Sequence, residues 1–287
     1  MNAPVYTTMG DREQYLFDLQ GFLVVHGVLS DAEVKALNDS LDVNADKIGT
    51  HEARQTSPVL EGTHKRGHVG GMLTWEHPWC EPWRELLAHP KLIPYLNTLF
   101  GRGWKLDHMP DVLTSTKGAE GLALHGQGSL TFSGSRFYAF HNGTMRCGLI
   151  NCQFYLADQN PGDGGLCVIP GSHKANLAVP RAIADYEEDR EIVYSVPAKA
   201  GDLVIFNEAT THGTLSWTAD HERRVALYRF TPKYLHYTGG AYETSLPEWT
   251  SELNGAQRAV LEPPYVYNRA LIEDDGKSLT SPRREGE

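Results

Sequence analysis

From Trp104 onward the chain runs in short β-prone stretches broken by turn residues, and this rhythm restricts the fold more than any other feature. The stretches are Trp104–Thr114, Arg136–Phe140, Arg146–Leu156, Gly165–Ile169, Ile192–Val196, Leu203–Phe206, Gly213–Trp217 and Val225–Thr231. Asn142-Gly143 offers the two left-handed positions of a tight hairpin, and Pro161-Gly-Asp-Gly-Gly165 adds glycines for positive φ. Many short strands at such intervals predict a sandwich or jelly roll rather than alternating βαβ units.

The first hundred residues read differently. Asp11–Leu19 places Tyr15, Leu16 and Leu19 at helical spacing, and Gly21 stops the run. Phe22–His26 reads as a buried strand, after which Ser30-Asp-Ala-Glu33 forms a capping box for a helix with Val34, Leu37 and Leu41 on one face. Two more helices are expected around 80–88 and 91–99, with Pro90 at the start of the second. Residues 49–72 are Gly- and His-rich without periodicity and read as a long loop. Its cations (His51, Arg54, His64, Lys65, Arg66 and His68) suit either a solvated surface or a lid over an anionic substrate. The charged stretch from Arg269 reads as a loose tail.

With 287 residues and 40% hydrophobic content, the chain is long enough for one well-packed core. Its net charge of −10 argues against nucleic acid and anionic membrane as partners, while leaving room for a small anionic ligand. Cys80, Cys147, Cys152 and Cys167 form no C-x-x-C pair or disulfide framework, and no run of 18 apolar residues occurs. A cytoplasmic protein is expected.

Three segments carry candidate chemistry. His125 ends an apolar run and is followed by Gly126 and Gln127. Asp158–Asn176 contains Gly164-Gly165 and Ile169-Pro170-Gly171-Ser172-His173. Gly201–Phe230 contains Gly201-Asp202, Phe206, His212 and, eleven residues after that histidine, Arg223. The order resembles the phytanoyl-CoA dioxygenase-like branch of the Fe(II)/2-oxoglutarate oxygenases, as does the opening "LFDLQGFLVVHGVLSDAEVKALN". That resemblance implies a mainly β protein with N-terminal helices, a double-stranded β-helix (jelly roll, cupin-like). It would be a single domain over 1–287, with a helical part (1–103), a barrel core (104–232) and a C-terminal extension (233–287). A jelly roll can bring His125 and His212 together although 87 residues separate them.

By the same resemblance, His125 and His212 bind Fe(II), and Arg223 clamps 2-oxoglutarate with the Thr214 hydroxyl beside it. O2 then oxidises a small-molecule C–H bond, with release of succinate and CO2. The family motif is His-x-Asp, but this chain reads His125-Gly126-Gln127. Another acid, Glu208 or Glu120, could supply the missing oxygen, as could the Gln127 amide. Chloride could take the position, as in the related halogenases. The metal could also be lost, leaving a non-catalytic cupin-like binding protein.

The other polar residues have plainer readings. His141 belongs to the Asn142-Gly143 hairpin, His173 is a hydrogen-bonding loop residue, and Glu208 by itself is a solvated loop acid. Lys105, Asp107 and Met109 should share one face of their strand, with Leu106, His108 and Pro110 on the other; His108 and Asp111 read as structural. The segment Arg136–Gly143 reads as sheet packing. Of Arg223 and Arg224 one must point inward, and the spacing selects Arg223. An inward guanidinium has to meet an anion.

Overall fold

The computed structural model describes residues 8–51, 57–101, 103–126, 135–237 and 246–264, with 273–274 and 277–278. In chain order the strands are β1 (Phe22–Val25), β2 (Gly49–His51), β3 (Arg66–Gly70), β4 (Lys105–Ser115), β5 (Leu122–His125), β6 (Tyr138–His141), β7 (Thr144–Cys147), β8 (Ile150–Tyr155), β9 (Gly165–Val168), β10 (Tyr194–Ser195), β11 (Leu203–Asn207), β12 (His212–Leu215) and β13 (Arg223–Thr231). A two-residue pair, β14 (Glu273–Asp274) and β15 (Lys277–Ser278), follows. The helices are α1 (Asp11–Gln20), α2 (Asp31–Val43), α3 (Glu81–Glu85), α4 (Ile93–Phe100), α5 (Arg181–Ala184) and α6 (Gly255–Leu261).

A seven-stranded sheet runs β1-β11-β8-β13-β4-β3-β2, and a four-stranded sheet runs β10-β9-β12-β5. They enclose one apolar layer containing Phe22, Leu113, Tyr155, Val168, Val204, Phe206, Val225 and Leu227. This is the double-stranded β-helix. The outer face of the large sheet carries Ile150, Cys152, Phe154, Ile205, Ala226, Tyr228 and Phe230, packed with the helical residues Leu37, Trp83, Leu86 and Leu96. Strands of the large sheet are therefore covered on both faces, which explains why β8 is buried at every position. Alternation along β13 sends Arg223, Val225, Leu227 and Arg229 inward, while Arg224 turns out to Glu222 and Asp42, each at 2.7 Å.

Several local expectations hold. Ser30 N donates to Glu33 Oε2 at 2.7 Å in the capping box, and Gly21 ends α1 at φ 84°. Asn142 (φ 50°) and Gly143 (φ 72°) join β6 to β7 as a left-handed two-residue turn. The four cysteines are free and buried, and no helix among the described residues is long and apolar enough to cross a membrane.

Residues 49–72 depart from expectation. They are not one loop: β2 and β3 extend the large sheet beyond β4. A Cβ on Gly67 would stand 2.2 Å from Thr114 Oγ1, so glycine is what allows β3 to lie so close to β4. That requirement erases the β-branched signature that would have marked the strand. Pro94, not Pro90, occupies the first turn of α4. The tail expected from Arg269 lies outside the described residues except for β14 and β15.

Gly164 joins two unfavourable features, φ of +97° and a would-be Cβ 2.1 Å from Ser216 O. Gly164→Ala is expected to destabilise the fold by more than about 2 kcal/mol in urea unfolding. A loss under about 0.5 kcal/mol would show that the β9–β12 connection is not strained.

Candidate metal and co-substrate site

The small sheet pairs β5 and β12 in antiparallel fashion so that His125 lies directly opposite His212. Their ring centroids are 4.3 Å apart. In each residue Nδ1 donates to the carbonyl two residues earlier: His125 to Ala123 O at 3.0 Å, His212 to Thr210 O at 2.7 Å. These bonds commit each Nδ1 as a donor and leave Nε2 as the ring nitrogen available to a metal. Burial first, and then the neighbouring His212, push the His125 imidazole down to about 4. The ring is neutral at pH 7, as ligation requires.

The motif residues around His212 act as its mount. Ser172 Oγ accepts from Thr211 N at 2.7 Å, immediately before the ligand candidate. His173, hydrogen-bonded as expected, is buried and donates from Nε2 to Asp18 O at 3.0 Å, tying α1 to the barrel end. Asp202 accepts from Gly27 N (3.0 Å) and Lys199 N (2.9 Å), pinning the segment after β1.

The cavity enclosed at this end measures about 380 Å³ and also reaches Arg66 and Arg223. Arg223 is buried, and its Nε donates to Gln159 Oε1 at 3.3 Å, while Nη1 has no partner among the described residues. Gln159 is itself held by the chain at Leu166 and Val196. Arg66, on β3, is buried as well. Its Nη1 reaches Thr214 Oγ1 at 3.4 Å, but among the described residues Nε and Nη2 have no partner. Burial, then the like charge of Arg223, lower Arg66 to about 10, so it keeps its proton at neutral pH. Two guanidiniums thus share one cavity with donors left over among the described residues. The acid on that side, Glu120, is engaged by Lys65 at 2.8 Å.

Sequence reasoning placed Arg66 in a long loop, either solvated or a lid over an anionic substrate, whereas it lies on a strand of the large sheet. Asn151 and Gln153 were also missed. Both line the cavity from β8, and two amides at alternate positions of an apolar strand were the available signal. Arg136 lines the cavity instead of packing a sheet, with its guanidinium 5.9 Å from the Tyr237 ring. Asp111 and His108 also face the cavity; Asp111 bonds Arg229 Nη1 at 3.2 Å. Glu208 is not a solvated loop acid. It is buried, with Oε2 3.6 Å from His212 Nε2 and Oε1 accepting from Asn151 Nδ2 at 2.9 Å. Gln127 lies outside the described residues.

The family profile described as phytanoyl-CoA dioxygenase (PhyH) matches residues 17–225, most of the chain. The chain belongs to the phytanoyl-CoA dioxygenase family. Curated proteins give no match to the sequence. Among solved structures, HygX from Streptomyces hygroscopicus, with nickel, 2-oxoglutarate and hygromycin B bound, is 23% identical with a TM-score of 0.64. The match covers 80% of this chain and 90% of that one. The epimerase SnoN from nogalamycin biosynthesis, in complex with Fe3+, alpha ketoglutarate and nogalamycin RO, is 20% identical, with a TM-score of 0.59 over 90% of this chain and 96% of that one. The carbocyclase SnoK from the same biosynthesis is 17% identical, with a TM-score of 0.56 over 80% of this chain and 87% of that one. These likenesses establish the shared fold of the family.

The acid response of the fold follows from its buried imidazoles. His125 and His173 both fall from 6.5 to about 4, burial being the main cause in each. The unfolded chain therefore binds more protons between those values. The stability due to these neutral rings is complete above pH 6.5 and is lost as pH falls through about 4. In metal-free protein the urea midpoint should drop across this window, and should drop less in His125→Gln and His173→Gln. Identical pH dependence in all three proteins would contradict the assignment.

Proposed function

We propose that this protein is an Fe(II)- and 2-oxoglutarate-dependent oxygenase that oxidises a C–H bond of a small polar molecule. The observation that carries the reading is the joint placement of two imidazoles whose Nδ1 atoms are tied to the backbone and two buried guanidiniums with unsatisfied donors. Imidazole suits Fe(II), and an unpaired buried guanidinium suits a carboxylate. The donor set therefore fits both groups that the family implies. His125 and His212 would hold the metal. Arg223 would hold the distal carboxylate of the keto-acid, with Arg66 as a second donor and Thr214 between them.

Bound Fe(II) would supply the activation of O2, coupled to conversion of the keto-acid into succinate and CO2. The chain's contribution is positional. The Nδ1 bonds of His125 and His212 hold the ring planes, and Gln159 orients the Arg223 fork. Phe206, with its ring 4.7 Å from that of His212, forms an apolar wall that keeps water from that flank. His51, His108, Asp111, Arg136 and Arg229 give the remaining cavity a polar lining, which suits a substrate bearing hydroxyl or acidic groups. Hygromycin B and nogalamycin RO, held by proteins of this fold, support a small-molecule substrate. The chloride-using alternative needs an acid-free position at the metal, and a buried Glu208 beside His212 weighs against it.

Two measurements test the reading. Anaerobic Fe(II) plus 2-oxoglutarate should give a weak visible charge-transfer band that His212→Ala abolishes. No band in the unaltered protein would refute the proposal. In calorimetry on Mn(II)-loaded protein, Arg223→Gln should weaken 2-oxoglutarate at least about 100-fold and Arg66→Gln about 10-fold. Unchanged affinity in Arg223→Gln would remove the clamp.

A further inference from the structure

We propose that Glu208 supplies the carboxylate that completes the metal site, replacing the acid this chain lacks two residues after His125. The inference rests on the reading that His125 and His212 bind the metal. Glu208 sits in the turn between β11 and β12, four residues before His212. One of its oxygens is anchored, since Oε1 accepts from Asn151 Nδ2 at 2.9 Å. The other faces the imidazoles, with Oε2 3.6 Å from His212 Nε2. Ligands about 2.1 Å from a metal and at right angles lie about 3 Å apart, so the carboxylate has only about half an ångström to close. Among the described residues, no three His, Cys, Asp or Glu groups are yet drawn together into a formed site. The missing movement is a small torsion about an anchored carboxylate.

Charge balance points the same way. Glu208 is buried, and among the described residues no lysine or arginine lies within ion-pair distance of it. Arg229, whose charge acts on Glu208, is bonded to Asp111 at 3.2 Å. Among the described residues the one ion-pair partner of Glu208 is His212, whose Nδ1 is already committed to Thr210 O. A buried carboxylate beside two imidazoles and without a lysine or arginine partner lacks a permanent counter-cation, and a divalent ion between the three groups supplies one.

The backbone shows how the turn reaches the site. A Cβ on Gly126 would lie 2.5 Å from Thr210 O, 2.9 Å from Glu208 O and 3.0 Å from His212 Nδ1. The Glu208 turn thus packs directly on the residue that follows His125, and only glycine fits between them. The bland alternative is a structural Glu208–His212 ion pair with no metal role.

The test uses full-length protein and Mn(II) as probe, followed by calorimetry and by loss of the free-ion electron paramagnetic resonance signal. Glu208→Gln keeps an oxygen for Asn151 and should weaken Mn(II) by at least about 100-fold, while Gln127→Ala changes it less than about threefold. Adding Gln127→Asp to Glu208→Ala should restore most of the affinity by rebuilding the His-x-Asp pattern. Circular dichroism and thermal midpoints verify folding of each variant. In the unaltered protein, which needs no substitution, Mn(II) affinity should be indifferent to replacing chloride with acetate. Retained affinity in Glu208→Gln, loss in Gln127→Ala, or marked chloride dependence each overturns the proposal. His212→Ala separates the two levels: if it binds Mn(II) like the unaltered protein, the metal reading itself fails, whatever Glu208 does.

Discussion

Two like charges buried side by side govern this end of the barrel. Arg66 and Arg223 are each almost fully enclosed, and among the described residues Arg66 leaves two guanidinium nitrogens and Arg223 one without a partner. Such an arrangement costs several kcal/mol unless an anion is present. The surroundings hold both groups in place without neutralising them: Gln159 accepts from one, and Thr214 accepts from the other. Local stability has been given up at the spot where a carboxylate ligand would recover it, a trade common at functional sites. A Cβ on Gly165 would strike Gln159 Oε1 at 2.0 Å, so even the glycine that opens β9 serves the placement of Arg223.

The most recognisable motif residues do their work at one remove from the chemistry. Ser172 braces the residue before His212, His173 fastens α1, and Asp202 fastens the turn after β1. These contacts knit the helical N-terminal part to the barrel rim. The rim can then hold two imidazoles from distant parts of the sequence in one plane of the small sheet. Precision at the site comes from strands and their ladder, with the turns supplying only close approach.

Strand periodicity, the hairpin at Asn142-Gly143 and the capping box at Ser30 were legible because local chemistry alone dictates them. His125, His212 and Arg223 were legible through order and spacing, and the structure brings all three to one cavity. Arg66 was not legible. Its strand is built on glycines, so it carries no alternation, and its neighbour in space is β4, some forty residues further along the chain. Glu208 was underrated for a related reason. Its burial depends on a turn packing against Gly126, a contact between segments about eighty residues apart that composition cannot reveal.

The first strand of the fold has a kinetic consequence. β1 covers the free edge of β11, with Phe22 opposite Phe206 and Val25 opposite Leu203. During synthesis this edge strand emerges long before its partner, so the large sheet cannot close until most of the chain is available. Until then β1 is an unpaired apolar ribbon, and shortening the chain to remove it would leave β11 as an open template for another molecule.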